Sequence, residues 1–192
     1  MNRLPKLSIV FAVPLCVFAA TYQKVSLGQS TNTLPTNGNA VRVNITTGGG
    51  VFGAPKDRYR VGQRIPVSIT MTNTSDSAVQ VCVSGSLYQD RPALTKDGEP
   101  VSYSEWQSQT LRASQSDKAC ADVDLPEPIK LQPKASHVVD WFILADSVRS
   151  TGAMAWYDSL QPGKYELSIQ RRLTCCDGPM IQSNKIRFEV VP

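Results

Sequence analysis

Chemistry has few starting points in this chain. It holds one histidine, His137, so Ser-His-Asp catalysis would depend on that imidazole and a His-rich metal site is excluded. Ser136 adjoins it and Asp140 follows three residues on. On a regular strand, residues one or three apart face opposite sides. Neither neighbour is therefore expected to partner the ring, and His137 reads as a surface or sheet-edge residue. Asp122, Asp124 and Glu127 offer hard oxygen ligands of the kind Ca²⁺ takes. They lack the glycine and terminal glutamate of an EF-hand loop, and read as a solvated acidic loop. Gly48-Gly49-Gly50 lacks the Gly-Lys-Ser/Thr ending of a phosphate loop and reads as a flexible turn. No catalytic, metal or cofactor site is expected. Asn44-Ile45-Thr46 and Asn73-Thr74-Ser75 match the N-glycosylation triplet, which is common by chance.

The thiols point to scaffolding. Cys16 falls in an apolar leader, leaving Cys82, Cys120, Cys175 and Cys176. An even set in an oxidising compartment favours disulfides, and four cysteines allow three pairings. A bond between the neighbours Cys175 and Cys176 would close a small strained ring, so each is expected to reach a different partner, Cys82 or Cys120. Redox pairs are usually spaced Cys-x-x-Cys at a helix N-terminus. Here the pair follows a strand pattern and precedes the turn Asp177-Gly178-Pro179. Of the large aromatics, Trp141 lies in an apolar run and is expected in the core. Tyr103, Trp106, Trp156 and Tyr157 fall in or beside loops, where rigid rings can anchor a partner at small entropic cost.

The elements that must position these residues are strands. Apolar residues alternate at Val41, Val43 and Ile45, at Ile65, Val67, Ile69 and Met71, and at Val79, Val81 and Val83. The alternation returns at Tyr165, Leu167 and Ile169 and at Ile186, Phe188 and Val190. His137 to Leu144 is apolar on both faces, as in a central strand. Asp97-Gly98 marks a hairpin turn within residues 91–103. No segment keeps a period of 3.6 residues. Ser104 to Lys130 breaks the rhythm; Ser104-Glu105-Trp106-Gln107 has the form of a capping box opening a short helix. With 13 Pro and 12 Gly, the pattern predicts an all-β, antiparallel two-sheet β-sandwich of about eight strands.

Residues 1–19 read as a signal peptide. Arg3 and Lys6 precede an uncharged run from Leu7 to Ala20, and Val17 and Ala19 take the small-residue places of a cleavage site. The run is shorter than the ~20 residues of a membrane span; an uncleaved leader would instead tether the chain. Residues 20–40 read as a polar tether and 41–192 as the folded domain. Cleavage removes two positive charges and takes the formal balance from +4 to +2. That mixed surface lacks the concentrated basic face nucleic-acid binding requires. The chain is expected to be exported, periplasmic or extracellular, with no membrane span once the leader is removed.

Two sets of motifs resemble known families. Leu160-Gln161-Pro162-Gly163-Lys164-Tyr165 is similar to the tyrosine corner of immunoglobulin-like sandwiches, whose hydroxyl bonds back to the upstream backbone. Tyr59-Arg60-Val61-Gly62-Gln63-Arg64-Ile65, running to Asn73-Thr74-Ser75, resembles the opening strand of exported bacterial immunoglobulin-like modules. The order Asn73-Thr74-Ser75, Ser84-Gly85-Ser86-Leu87-Tyr88 and Lys96-Asp97-Gly98-Glu99 resembles the BsuPI-type proteinase-inhibitor domain over about residues 60–170. The four cysteines and the 104–130 insertion depart from that pattern. The resemblance implies an immunoglobulin-like fold and carries over no inhibitory residue. The functional expectation is a non-catalytic interaction or structural module with an unidentified protein partner, binding through the 104–130 loop or an open sheet edge. The alternatives are a proteinase inhibitor, or an enzyme using His137 or the Cys175-Cys176 pair.

Overall fold

The computed structural model describes residues 40–49, 52–83, 85, 89–114, 127–146, 155–175 and 178–192. The leader, the tether up to residue 39, Cys120, Cys176, Asp122, Asp124 and most of the Ser84–Tyr88 motif lie outside the described residues. Among the described residues, twelve strands and one helix follow in order: β1 Val41–Thr47, β2 Arg58–Arg60, β3 Ile65–Asn73, β4 Val79–Val81, β5 Asp90–Lys96, β6 Glu99–Pro100, α1 Glu105–Ser114, β7 Ile129–Leu131, β8 Ser136–Ala145, β9 Ala155–Tyr157, β10 Gly163–Arg172, β11 Met180–Gln182 and β12 Ile186–Val191. The chain is mostly β. The strand count exceeds the expected eight because several are pieces of two or three residues.

One sheet has the order β1-β3-β8-β9, a second β2-β12-β10-β5-β6 with β11 also on β10, and β4-β7 form a small third. Most pairs are antiparallel; β8–β9 and β12–β2 are parallel. Alternation puts Val41, Val43 and Ile45 of β1 and Ile65, Val67, Ile69 and Met71 of β3 inside. From the second sheet come Leu94, Tyr165, Leu167, Ile169, Phe188 and Val190, and all of these join one hydrophobic core.

Local chemistry fixes the corners. Asp97 (φ 50°) and Gly98 (φ 94°) turn β5 into β6, both in the left-handed region that a two-residue hairpin turn demands. The Tyr165 hydroxyl donates to the Gln161 carbonyl at 2.7 Å, tying the start of β10 to its approach loop. Asn73 is fully buried at the end of β3. Its Nδ2 donates to the carbonyls of Ser77, Leu131 and Gln132, and its Oδ1 accepts from the Ser75 amide and hydroxyl. That side chain is a structural hub and closed to glycosylation. Cys82, just past β4, is disulfide-bonded to Cys175, just past β10, closing a separation of 93 residues. For a loop of that length the chain-entropy argument gives about 4–5 kcal/mol of stabilisation.

The expected helix forms. Ser104 Oγ accepts from the Gln107 amide, with Glu105 in the first turn and Arg112 in the last, each favourably placed on the helix dipole. The return arm of the capping box is absent. The Ser104 amide donates to the Trp156 carbonyl, and Gln107 Nε2 is buried without a protein partner.

Candidate functional site

Most side chains that could do chemistry are engaged in holding the fold. His137 is exposed, and no hydrogen bond or ion pair engages its ring among the described residues. The strand it lies on is irregular. The β3–β8 register shifts between Ile69 and Thr70, which pair with Asp140 and Val138 and leave Val139 as an extra residue, a β-bulge. The bulge reverses the expectation for His137 and Asp140. Their cross-strand partners Met71 and Ile69 both point inward, so the two share a side of the sheet, though nothing joins them. No group of three or more metal-ligating side chains is present among the described residues. Cys82 and Cys175 are committed to their disulfide.

The same bulge corrects the reading of Trp141. With an extra residue at Val139, Val138 and Trp141 both take outward places, opposite Thr70 and Ser68. They are 55% and 50% exposed. Phe52 packs edge-on against Trp141, with ring centroids 4.8 Å apart. The neighbouring register positions carry mostly short polar side chains, Ser68, Thr70 and Thr72 on β3, Asn44 and Thr46 on β1 and Ser136 on β8, with the exposed Arg42 of β1 in the row of Thr72 and Ser136. The Thr72 and Ser136 hydroxyls are 2.8 Å apart and hydrogen-bonded.

The loop aromatics divide. Trp106 on α1 is 47% exposed. Trp156 and Tyr157 on β9 are buried and form a ring cluster with Tyr103 and Phe142, so they cannot meet a partner at the surface. Their strand is only three residues long, and burial pushes the Tyr157 hydroxyl pKa well up. The Tyr103 and Tyr157 hydroxyls both donate to the Pro92 carbonyl of β5, at 2.5 and 3.2 Å. Val101 donates to the Leu94 carbonyl farther along. On the first sheet, the Asn184 amide accepts from the Ile45 N–H and donates to its carbonyl. Both stretches of edge are thus already satisfied where an added strand would pair.

Charge gathers in two further regions, one on the surface and one inside. An open groove of about 1030 Å³ on the second sheet is lined by four acidic and four basic side chains. Arg58 pairs with Glu189, and Lys185 and Arg187 share Glu166; the hydrogen bonds from these two cations hold the Glu166 carboxyl below its ordinary value. Such a face has no single sign of charge to offer. Inside the protein, Arg171 of β10 is 0% exposed. Its Nη1 donates to both carboxylate oxygens of Asp90 at 2.8 Å and its Nη2 to the Cys82 carbonyl at 3.2 Å. Asp140 of the other large sheet lies 3.7 Å from the same Nη1. Sequence reasoning missed this cluster, although a signal existed: Arg171 continues the inward alternation of Tyr165, Leu167 and Ile169.

No protein-family model matches the chain, and no curated protein matches it. Among solved structures it is similar to the alkylpurine DNA glycosylase AlkC of Pseudomonas fluorescens, in a complex with DNA containing an abasic-site analog. The identity is 13%, the match covers 80% of this chain and 31% of that one, and the TM-score is 0.35. The chain thus spans about a third of that enzyme's length, and a likeness this distant carries no functional argument.

Proposed function

We propose that the protein is a non-catalytic, exported interaction module on an immunoglobulin-like β-sandwich, which binds a protein partner through the outer face of the β1-β3-β8-β9 sheet. The observation that carries this reading is the apolar step of Val138 and Trp141 standing half-exposed on that face. Exposed large apolar residues grouped on a surface are a common mark of an interaction site, and tryptophan is the most enriched anchor type.

The immunoglobulin-like reading is supported by strand order. β1-β3-β8 corresponds to strands A-B-E of that fold and β12-β10-β5 to G-F-C. The bonded Tyr165 corner falls at the start of the F-like strand. Export is supported by the Cys82–Cys175 disulfide, since such bonds persist mainly in oxidising compartments.

The test is retention of partners from envelope and culture-supernatant extracts by the disulfide-bonded mature chain, compared with Val138→Ser/Trp141→Ser. A stoichiometric partner kept by the parent and lost by the variant is the expected result. A partner retained equally by both removes this face from the account. A captured protease would revive the inhibitor alternative, and turnover by the purified chain that depends on His137 would revive the enzymatic one.

A further inference from the structure

We propose that Phe52 is a positioning residue for Trp141: the Gly48-Gly49 turn brings its ring against the indole and fixes the indole in one outward pose. The docking face then presents an anchor set in place before any partner arrives. This rests on that face being the docking site, and adds how its central ring is held. A half-exposed tryptophan on a sheet would ordinarily exchange among staggered rotamers, and freezing one of them on binding costs conformational entropy. Phe52 supplies the restraint in advance. Its ring meets the indole edge-on, at 4.8 Å between centroids and 64° between planes, within the range aromatic pairs favour.

The turn is built to place that ring. Gly48 and Gly49 follow the end of β1 with φ of 72° and 87°, in the left-handed region that residues with a Cβ rarely adopt. The Gly48 amide donates to the Pro66 carbonyl at 2.8 Å, the Gly49 amide to the Gly53 carbonyl at 2.7 Å and the Phe52 amide to the Gly49 carbonyl at 3.0 Å. Ser68 Oγ donates to the Gly48 carbonyl at 2.6 Å. Close approach matters as much as φ. A Cβ on Gly49 would lie 3.3 Å from both Ser68 Oγ and Thr46 Oγ1, and one on Gly48 would lie 2.9 Å from the Ala54 carbonyl oxygen. Ser68 is the cross-strand partner of both Trp141 and Thr46, so the glycines lie against the row that carries the indole. Ser68 is accordingly 6% exposed, although it takes an outward place on β3 like the half-buried Thr70 and Thr72.

The root of the ring is held as well. Asp140 Oδ1 accepts from the Trp141 amide at 2.8 Å, which ties down the backbone just past the bulge. With the glycines on the β1 side of this row, the apolar surface left open runs from the indole to Val138. The partner therefore meets a ring already in place and approaches it over Val138.

The test is fluorine NMR of the oxidised mature chain labelled with 5-fluorotryptophan, the Trp141 resonance being assigned by its loss in Trp141→Phe. In the parent this resonance should be displaced from its place in the unfolded chain, and should relax as fast as that of the buried Trp156. Phe52→Ala should remove most of the displacement and slow the relaxation to that of a mobile ring. Gly49→Ala, which keeps both aromatic rings and disturbs only their support, should do the same. Phe52→Tyr retains the ring and should keep the parent signal. An unmoved Trp156 resonance reports an intact fold in each variant. If Gly49→Ala does not fold, the contrast between Phe52→Ala and Phe52→Tyr decides the matter. A Trp141 signal that already relaxes as a mobile ring in the parent, or that Phe52→Ala leaves unchanged, overturns the proposal. The readout needs no partner, so this failure is distinct from failure of the docking site itself, which equal retention of a partner by Val138→Ser/Trp141→Ser would show.

Discussion

Replacing Arg171 with methionine keeps much of the side-chain volume and removes one buried positive charge. In the native structure that charge makes two bonds to Asp90 and one to the Cys82 carbonyl, all in the interior. Its loss strands Asp90 and deprives Asp140 of a cation 3.7 Å away. Breaking a buried pair from one side typically costs about 3–5 kcal/mol, because the remaining charge is left uncompensated. The upper part of that range applies here, since a hydrogen bond to a backbone carbonyl is lost too, worth about 1 kcal/mol more. Removing both charges is gentler: Asp90→Leu with Arg171→Met should recover about half or more of the loss, as apolar replacements of buried pairs often do. Urea unfolding of the oxidised protein, followed by circular dichroism, measures both variants. A single-variant loss below about 1 kcal/mol, or a double variant less stable than the single, would refute the reasoning that the pair is held together by mutual compensation.

Three further outcomes follow from particular contacts. Replacing Cys82 and Cys175 with serine should lower stability by about 4 kcal/mol under oxidising conditions, and the parent should lose a similar amount on reduction; unchanged melting of the double variant would contradict the bridge. Tyr165→Phe removes the bond to Gln161 and should cost about 1 kcal/mol, measured by the same unfolding curves; no change would mean that the corner is held by packing alone. Trp106→Phe/Trp141→Phe leaves only the buried Trp156, so emission should shift to the blue and become resistant to acrylamide; easily quenched residual emission would show that Trp156 is not in the core.

Much of the fold was legible because strand alternation is a direct record of burial on one face. Val41-Val43-Ile45, Ile65-Val67-Ile69-Met71 and Tyr165-Leu167-Ile169 each announced their sheet. So did the turn at Asp97-Gly98 and the helix cap at Ser104, whose side chains act within a few residues of the chain. The exposure of Trp141 was hidden for a specific reason. The run from His137 to Leu144 is apolar on both faces, and a bulge changes which residues share a face without changing composition. Val139 as an extra residue turns Trp141 outward and Asp140 inward, which no period-two reading provides. Trp156 and Tyr157 were misjudged as surface candidates because a three-residue strand is too short to show alternation. The ion cluster was missed because its members lie 31 to 81 positions apart in the sequence, and only the pairing of β5 with β10 brings Asp90 to Arg171.

The claim that matters most is that the outer face carrying Val138 and Trp141 is where a partner docks. The most direct measurement is the affinity of the captured partner for the parent and for Trp141→Ala, by calorimetry on the oxidised proteins, with unfolding curves confirming equal stability. An indole at the centre of an interface is commonly worth about 2 kcal/mol or more, so the account predicts binding weakened about thirtyfold. Equal affinity with equal stability would contradict it and leave Trp141 as an exposed ring without a role in recognition.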